Sequence, residues 1–454
     1  MKYWIDLHGC AKNQVDAEEM AARLEAAGHS YASGPAEADL VIVNTCGFIE
    51  DAKRESIGAI VSLKAARPGA RLLVAGCLAQ RYAKELAEGM PEADGILGNA
   101  DLGAVVEAAE RTLAGERPVL VPAAAAAPAP RRSRLFDFPG TAHVKITEGC
   151  SNFCSYCAIP LIRGALRSRP VEEVVAECAE LVRPAAEGGR GLRELDLIGQ
   201  DLGSYGAERG GQMLPDLLAR LSALPGDFRV RVLYIHPDHF PDGILPVMAA
   251  DPRILPYLDL PFQHASARIL TAMNRRGDPD AYLRLIDRIR SVLPDAAIRS
   301  TFMVGFPGEL DADFDELRSF QERARLDWVG AFVYSREEGT AAYSMRGRVP
   351  ARVAAARKAA IEEAQERITR ERLERFVGRE LDVLVEERVQ APAAGAGSDA
   401  VASDDAELSL GRAWNQAPEV DGLTVLRGAR EPGVVVRARV LAVTGVDFDA
   451  AIAG

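Results

Sequence analysis

Along the first 120 residues, short apolar runs alternate with stretches whose apolar positions recur at helical spacing. Tyr3 to Leu7 leads into Gln14 to Ala27, Leu40 to Val43 into Ile49 to Leu63, and Leu72 to Ala75 into Ala79 to Ala87. Strand followed by helix, three times over, predicts βαβ units and therefore a parallel sheet. Residues 121 to 135, centred on VPAAAAAPAPRRSR, have no apolar period and carry prolines that interrupt helix and strand alike, so they read as a linker.

A second α/β stretch, 136 to 375, follows. Its strand candidates are His143 to Thr147, Glu194 to Ile198, Arg229 to Ile235, Leu258 to Leu260, Ile298 to Val304 and Trp328 to Tyr334. Helical patterns separate most of them, and the Ala/Arg/Glu-rich run Ala351 to Phe376 reads as a closing helix. Such a series fits a complete or partial (β/α) barrel. From 376 to 454 the apolar runs become short and valine-rich: Leu381 to Val385, Leu408 to Gly411, Leu423 to Leu426 and Val434 to Val440. Gly, Pro or Asp separates them, as expected of a small β-barrel. Residues 390 to 406, rich in Ala, Gly, Ser and Asp, look like a flexible loop inserted in it.

Composition narrows the class. A chain of 454 residues, 48% apolar and 26% charged, is that of an ordinary globular protein of two or three domains. No apolar run is long enough to span a bilayer and no signal peptide is visible, so a cytoplasmic location without membrane partners is expected. The net charge of -12 argues against a nucleic-acid-coating surface. The tail sharpens this: 13 acidic and 7 basic residues, with no lysine, suit a basic partner better than a phosphate backbone.

Seven cysteines are too few for a disulfide scaffold, so metal binding or catalysis is the better default. Cys150, Cys154 and Cys157 form a C-x3-C-x2-C run just after a predicted strand. Three thiolates on one loop can hold three irons of a cubane cluster and leave the fourth iron open. A zinc knuckle is the alternative, and it lacks a nearby fourth ligand. Cys10, Cys46 and Cys77 each follow one of the first three strands, beside glycine. A parallel sheet brings such ends to one edge, where α/β sheets bind ligands, so a second three-thiolate site is expected against the alternative of three buried strand-end cysteines. Cys178, alone in a helical pattern, is expected to be core.

The stretch Lys145 to Gly164, with Arg167-Ser-Arg-Pro170, resembles the methylthiotransferases of the radical S-adenosylmethionine superfamily. So do Asn44 to Ile49, Ile198 to Asp201, Pro261 to Ser266, Met303 to Glu309 and Tyr334 to Thr340. The resemblance implies an N-terminal domain with an auxiliary [4Fe-4S] cluster on Cys10, Cys46 and Cys77. It implies a central open barrel with the radical [4Fe-4S] cluster on Cys150, Cys154 and Cys157, and a C-terminal TRAM β-barrel, small and antiparallel, that docks the substrate. S-adenosylmethionine would serve both as methyl donor and as source of a 5′-deoxyadenosyl radical, with an external electron donor. Tyr156 and Gln200, from their positions, are candidates to contact it.

Two substrate classes divide the family: an adenosine of tRNA, and the β-carbon of an aspartate in a small-subunit ribosomal protein, S-twelve. Gln200-Asp201, His264, Asn274-Arg275-Arg276 and Ala417 to Gly422 resemble the protein-modifying branch, and the acidic tail agrees. Ribosomal protein S-twelve or the small ribosomal subunit is the expected partner, and tRNA is not. A flavodoxin-like carrier fused to a β-barrel binder, or a zinc-dependent structural factor, are readings of other classes. His236 and His239 are expected to be structural rather than metal ligands, and His264 to shape the pocket rather than transfer protons.

Overall fold

The computed structural model describes residues 1–122, 130–390 and 407–453. Residues 123–129 of the expected linker, and 391–406 of the expected loop, lie outside the described residues.

The N-terminal sheet has six strands, all parallel, in the order Ser30–Tyr31, Lys2–Leu7, Leu40–Thr45, Arg71–Gly76, Gly95–Gly98, Val119–Leu120. The central strand Leu40–Thr45 is buried throughout, as a parallel strand covered on both faces must be. Helices Ala11–Ala26 and Val105–Leu113 cover one face, where Met20, Leu24 and Val105 meet Ile42 and Leu73. Glu50–Ala66, Cys77–Arg81 and Ala83–Gly89 cover the other. The last two were expected as one helix over Ala79 to Ala87; the chain breaks at Tyr82, where φ is -128°.

The second sheet places its six parallel strands in chain order: Thr141–Lys145, Glu194–Ile198, Arg229–Val232, Ile254–Asp259, Ala297–Val304, Trp328–Val333. Its end strands do not pair, so the barrel is open. Alternate side chains of these strands point into the barrel, and several are charged: Glu194, Asp196, Arg229, Arg231, Asp259 and Arg299. The long helix Ala351–Leu373 closes the outside, with Ile361 in the central core.

Residues 380–452 form a closed five-stranded barrel in the order Glu380–Gln390, Glu407–Ala413, Thr424–Arg427, Asp447–Ile452, Val435–Thr444. The sequence pattern predicted four of these strands. The fifth, Asp447–Ile452, has Asp, Ala and Gly neighbours that mute its apolar signal, yet it closes the barrel. It pairs antiparallel with Val435–Thr444 and parallel with Thr424–Arg427, the one parallel contact in an otherwise antiparallel barrel.

This small barrel plugs the floor of the central one. Arg412 reaches Glu194 at 2.7 Å, Arg231 donates to the Trp414 carbonyl, Trp328 Nε1 donates to the Asn415 carbonyl, and the Tyr257 hydroxyl donates to Asp421 at 2.6 Å. Asp421 belongs to the segment Ala417 to Gly422 that carried part of the family resemblance. Its side chain is buried here against the floor of the central barrel, while Glu419 and Val420 of the same segment are exposed.

Candidate active site

The loop bearing Cys150, Cys154 and Cys157 leaves the first barrel strand at its carboxyl end. Its conformation is bought with unusual backbone angles. Gly149 has φ +72°, and a side chain there would collide with the Ala165 carbonyl, so only glycine fits. Phe153 also sits at positive φ, 51°. A neighbouring segment clamps the loop: Asn274 Nδ2 donates to the Phe153 carbonyl at 3.0 Å, and Arg275 donates to the Tyr156 hydroxyl at 3.1 Å and the Pro261 carbonyl at 2.7 Å. From the other side Asn152 donates to Asp201 at 2.9 Å.

Asp201 is the hub of that second support. It also accepts from Ser204, His239 and the backbone N–H groups of Gly203 and His236. Burial alone would raise its carboxyl pKa, but these bonds outweigh burial and hold it well below the usual range. His236 and His239 stack on each other at 5.0 Å and face Asp201. Through its backbone N–H and its ring Nδ1 respectively, His236 and His239 each hold Asp201 in place. A cavity of about 390 Å³ opens beside Cys150, lined by Asn152, Leu166, Asp201, Ser204 and His239.

Cys10, Cys46 and Cys77 come from three separate strand ends. Cys10 and Cys77 both approach the same atom, Asn13 Oδ1, at 3.6 and 3.7 Å. Asn13 Nδ2 in turn holds the Thr45 carbonyl at 2.9 Å, next to Cys46. Gly47 packs so tightly on Leu78 that a Cβ would lie 2.8 Å from its backbone. The cysteines therefore meet at one edge of the sheet, as expected of parallel strands.

The two triads are neighbours. Cys77 packs with Ala158 and Ile162, which directly follow Cys157 in the chain. Arg163 reaches back to Cys77 at 3.3 Å and to Asp16 and Glu148 at 2.8 Å each. It is buried and paired on several sides, and it ties the loop of one triad to the sheet of the other. Lys145 also pairs with Asp16 across the same boundary, and with Glu148 on its own side. On the rim, Arg81 and Lys53 of the first domain share Glu337 of the second.

The thiol environments fit an iron–sulfur cluster. Burial, then the neighbouring cysteines, pushes Cys46 and Cys157 up to about 12, and burial, then Asp201 and Cys154, pushes Cys150 up to about 11. Cys77 and Cys154 rise for the same leading reason. Cys10 differs: burial would raise it, but Lys12 and Arg163 outweigh burial and lower it. Three soft donors packed this closely become thiolates only beside positive charge, which cluster iron supplies. They are soft ligands of the kind iron–sulfur clusters take.

Tyr156 and Gln200 both line this region. Tyr156 is held by Arg275, as above. Gln200, just past the strand Glu194–Ile198, has a buried Oε1 without a hydrogen-bond partner. His264 is fully buried; its Nδ1 accepts from the Ser266 N–H at 3.0 Å, and burial pushes its pKa down to about 4, so it stays neutral. Cys178 is fully buried in the central core, away from both triads.

An open barrel carrying a three-cysteine loop, flanked by a cysteine-bearing parallel sheet and a closed β-barrel, defines a radical S-adenosylmethionine enzyme. Family models agree piece by piece: Uncharacterized protein family UPF0004 over residues 2–98, the Radical SAM superfamily over 144–320 and the TRAM domain over 377–452. Among solved structures, the chain resembles the radical S-adenosylmethionine methyltransferase TsrM from Kitasatospora setae. The TM-score is 0.54 at 14% identity, covering 75% of this chain and 74% of that one, a likeness of fold.

Curated relatives are much nearer. The ribosomal protein uS12 methylthiotransferase RimO of Treponema denticola is 44% identical, covering 98% of this chain and 99% of that protein. RimO of Moorella thermoacetica is 43% identical over 93% of this chain and 92% of that protein, and RimO of Thermotoga maritima 38% identical over 95% of each. The chain belongs to the RimO family of radical S-adenosylmethionine methylthiotransferases. That membership implies S-adenosylmethionine and an iron–sulfur cluster as cofactors. No helix among the described residues is long and apolar enough to cross a membrane.

The sequence reading missed Asn13, Arg163, Asp201 and Arg275 as site residues. Each acts through contacts with residues far off in the chain. Arg163, Asp201 and Arg275 fall inside segments that carried the family resemblance, and Asn13 lies three residues past Cys10, but neither signal says what the side chains hold.

Proposed function

We propose that this enzyme places a methylthio group on the β-carbon of an aspartate in ribosomal protein uS12. The observation that carries the proposal is 44% identity, over 98% of this chain, with a relative named as a ribosomal protein uS12 methylthiotransferase. The acidic C-terminal barrel supports it, since an acidic face steers a basic ribosomal protein. Three of the 13 acidic residues, Asp399, Asp404 and Asp405, lie outside the described residues. Modification of a tRNA adenosine is the other reading within the wider family, and it calls for a basic docking face.

In this reading Cys150, Cys154 and Cys157 hold the cluster that binds S-adenosylmethionine, and Cys10, Cys46 and Cys77 hold an auxiliary one. When bound, the clusters and S-adenosylmethionine supply radical hydrogen abstraction and the methylthio group. The chain's own work is positioning. Asn13 holds the Thr45 carbonyl beside Cys46, Arg163 ties the loop of one triad to Asp16 and Cys77 of the other domain, and Asn274 and Arg275 hold the loop of the second triad. Tyr156 and Gln200 face S-adenosylmethionine, the unpartnered Gln200 carbonyl being free to accept from it. Buried, neutral His264 shapes the wall of the substrate pocket.

The test is to incubate the anaerobically reconstituted enzyme, a chemical reductant and S-adenosylmethionine with a uS12 loop peptide or with unmodified tRNA. Mass spectrometry should find the methylthio group on the peptide aspartate. Modified adenosine with an untouched peptide would contradict the proposal.

A further inference from the structure

At the seam between the two triad-bearing domains, the nearby carboxylates are already matched. Glu148 pairs with Lys145 and Arg163, each at 2.8 Å. Asp259 pairs with Arg299 at 3.1 Å and accepts from the Tyr234 N–H at 3.2 Å. One cation is left over. Lys12, in the first turn of the helix Ala11–Ala26, is 7% exposed. Among the described residues its ammonium has neither an ion pair nor a hydrogen bond.

What it does have is the face of Tyr234, 3.2 Å from the ring centroid. Tyr234 lies just past the barrel strand Arg229–Val232 and adopts φ 63°, a left-handed conformation that a bulky residue rarely takes. Its backbone is fixed by Asp259 on one side and by the Leu202 N–H, which donates to its carbonyl, on the other. Strain of this kind persists where surrounding structure imposes it, and here it sets an aromatic floor beneath a cation. An aromatic face attracts an ammonium but accepts none of its three N–H bonds in the geometry of an oxygen. The group is therefore held in place with its donors unspent. It is two residues from Cys10, which is exposed.

We propose that Lys12 receives the side-chain carboxylate of the target residue and makes the enzyme selective for aspartate. This rests on the substrate reading above and deepens it. A carboxylate paired with Lys12 and lying over Tyr234 presents the adjacent β-carbon to the space between the triads. An asparagine amide of the same shape forfeits the charge-assisted bond to the buried ammonium.

The experiment uses the reconstituted full-length enzyme and two uS12 loop peptides that differ only in Asp or Asn at the target position. Binding is read by fluorescence anisotropy, with S-adenosylmethionine affinity measured in parallel. Wild type should prefer the Asp peptide by about tenfold or more, the scale of one charge-assisted hydrogen bond. Lys12→Met should lose that preference by weakening only the Asp peptide, and Lys12→Arg should retain it. The unchanged Asn peptide reports that the variant is folded. A Lys12→Met enzyme that still discriminates, or a wild type that never does, overturns the role of Lys12 and leaves the substrate reading standing. Weakened S-adenosylmethionine binding with the peptide preference intact also overturns it, by assigning the ammonium to the cofactor's carboxylate. A wild type that binds neither peptide overturns the substrate reading itself.

Discussion

The two cysteine triads are built by opposite strategies. Cys150, Cys154 and Cys157 sit within eight residues on one loop, so their proximity is set by the chain itself. Cys10, Cys46 and Cys77 are separated by tens of residues and meet because three parallel strands end together. The first triad depends on local supports, Asn152, Asn274 and Arg275. The second depends on the packing of a whole domain, on Asn13 and on Arg163, which arrives from the other triad's loop. A local site tolerates distant damage; a dispersed one inherits every weakness of its fold.

The most severe way to separate them is chemical. Replacing Cys46 by Ala should abolish methylthiolation while 5′-deoxyadenosine is still formed, whereas alanine at Cys150, Cys154 and Cys157 together should abolish both. Chromatography of the quenched reaction measures each product, and methylthiolation surviving in Cys46→Ala would sink the two-site account.

A smaller effect should expose the bridge. Arg163→Met strips a buried cation from Asp16, Glu148 and Cys77, leaving two buried carboxylates short of a partner. Breaking a buried ion network in this way costs about 3–5 kcal/mol. Urea denaturation followed by circular dichroism should show that loss, and an unchanged midpoint would mean that Arg163 does not link the domains.

The contrast also explains what could be read in advance. Spacing alone exposed the local triad, because three cysteines in eight residues need no fold to bring them together. Cys10, Cys46 and Cys77 were legible only after strands had been assigned, since their equivalence is a property of the sheet. Asn13, Arg163, Asp201 and Arg275 were not legible, because their partners lie far away in sequence. Likewise, the strand Asp447–Ile452 shows itself only through the two neighbours it joins. The segment Ala417 to Gly422, which carried part of the family resemblance, contributes a floor contact through Asp421 that only the fold reveals.

A third prediction probes the seam between the triad-bearing domains by pH. His143, on the first barrel strand, pairs with Asp137 and faces Asp196, while Arg132 joins its carbonyl to Glu18 of the first domain. Burial would lower the imidazole pKa, but Asp137 outweighs it and raises the pKa to about 9. A raised folded-state pKa gives stability that is complete below the unfolded value near 6.5 and is lost as pH climbs through 9. Asp196, raised to about 7 by burial and then by Glu194, acts in the same direction. Urea midpoints should therefore fall from pH 6.5 to 9, by about 3 kcal/mol in all at this order of magnitude, and His143→Gln should flatten the slope. A slope identical in the variant would remove His143 from the account.

The smallest change expected is at the seventh cysteine. Cys178→Ala removes one buried sulfur from the central core and should cost about 1 kcal/mol, with iron content untouched.

Iron and acid-labile sulfide, assayed after anaerobic reconstitution of wild type and of each triad's triple alanine variant, test the central claim most directly. If each trio cages its own cluster, either variant retains half the wild-type iron and half the sulfide. Full iron in either variant, or none in both, would contradict two independent sites.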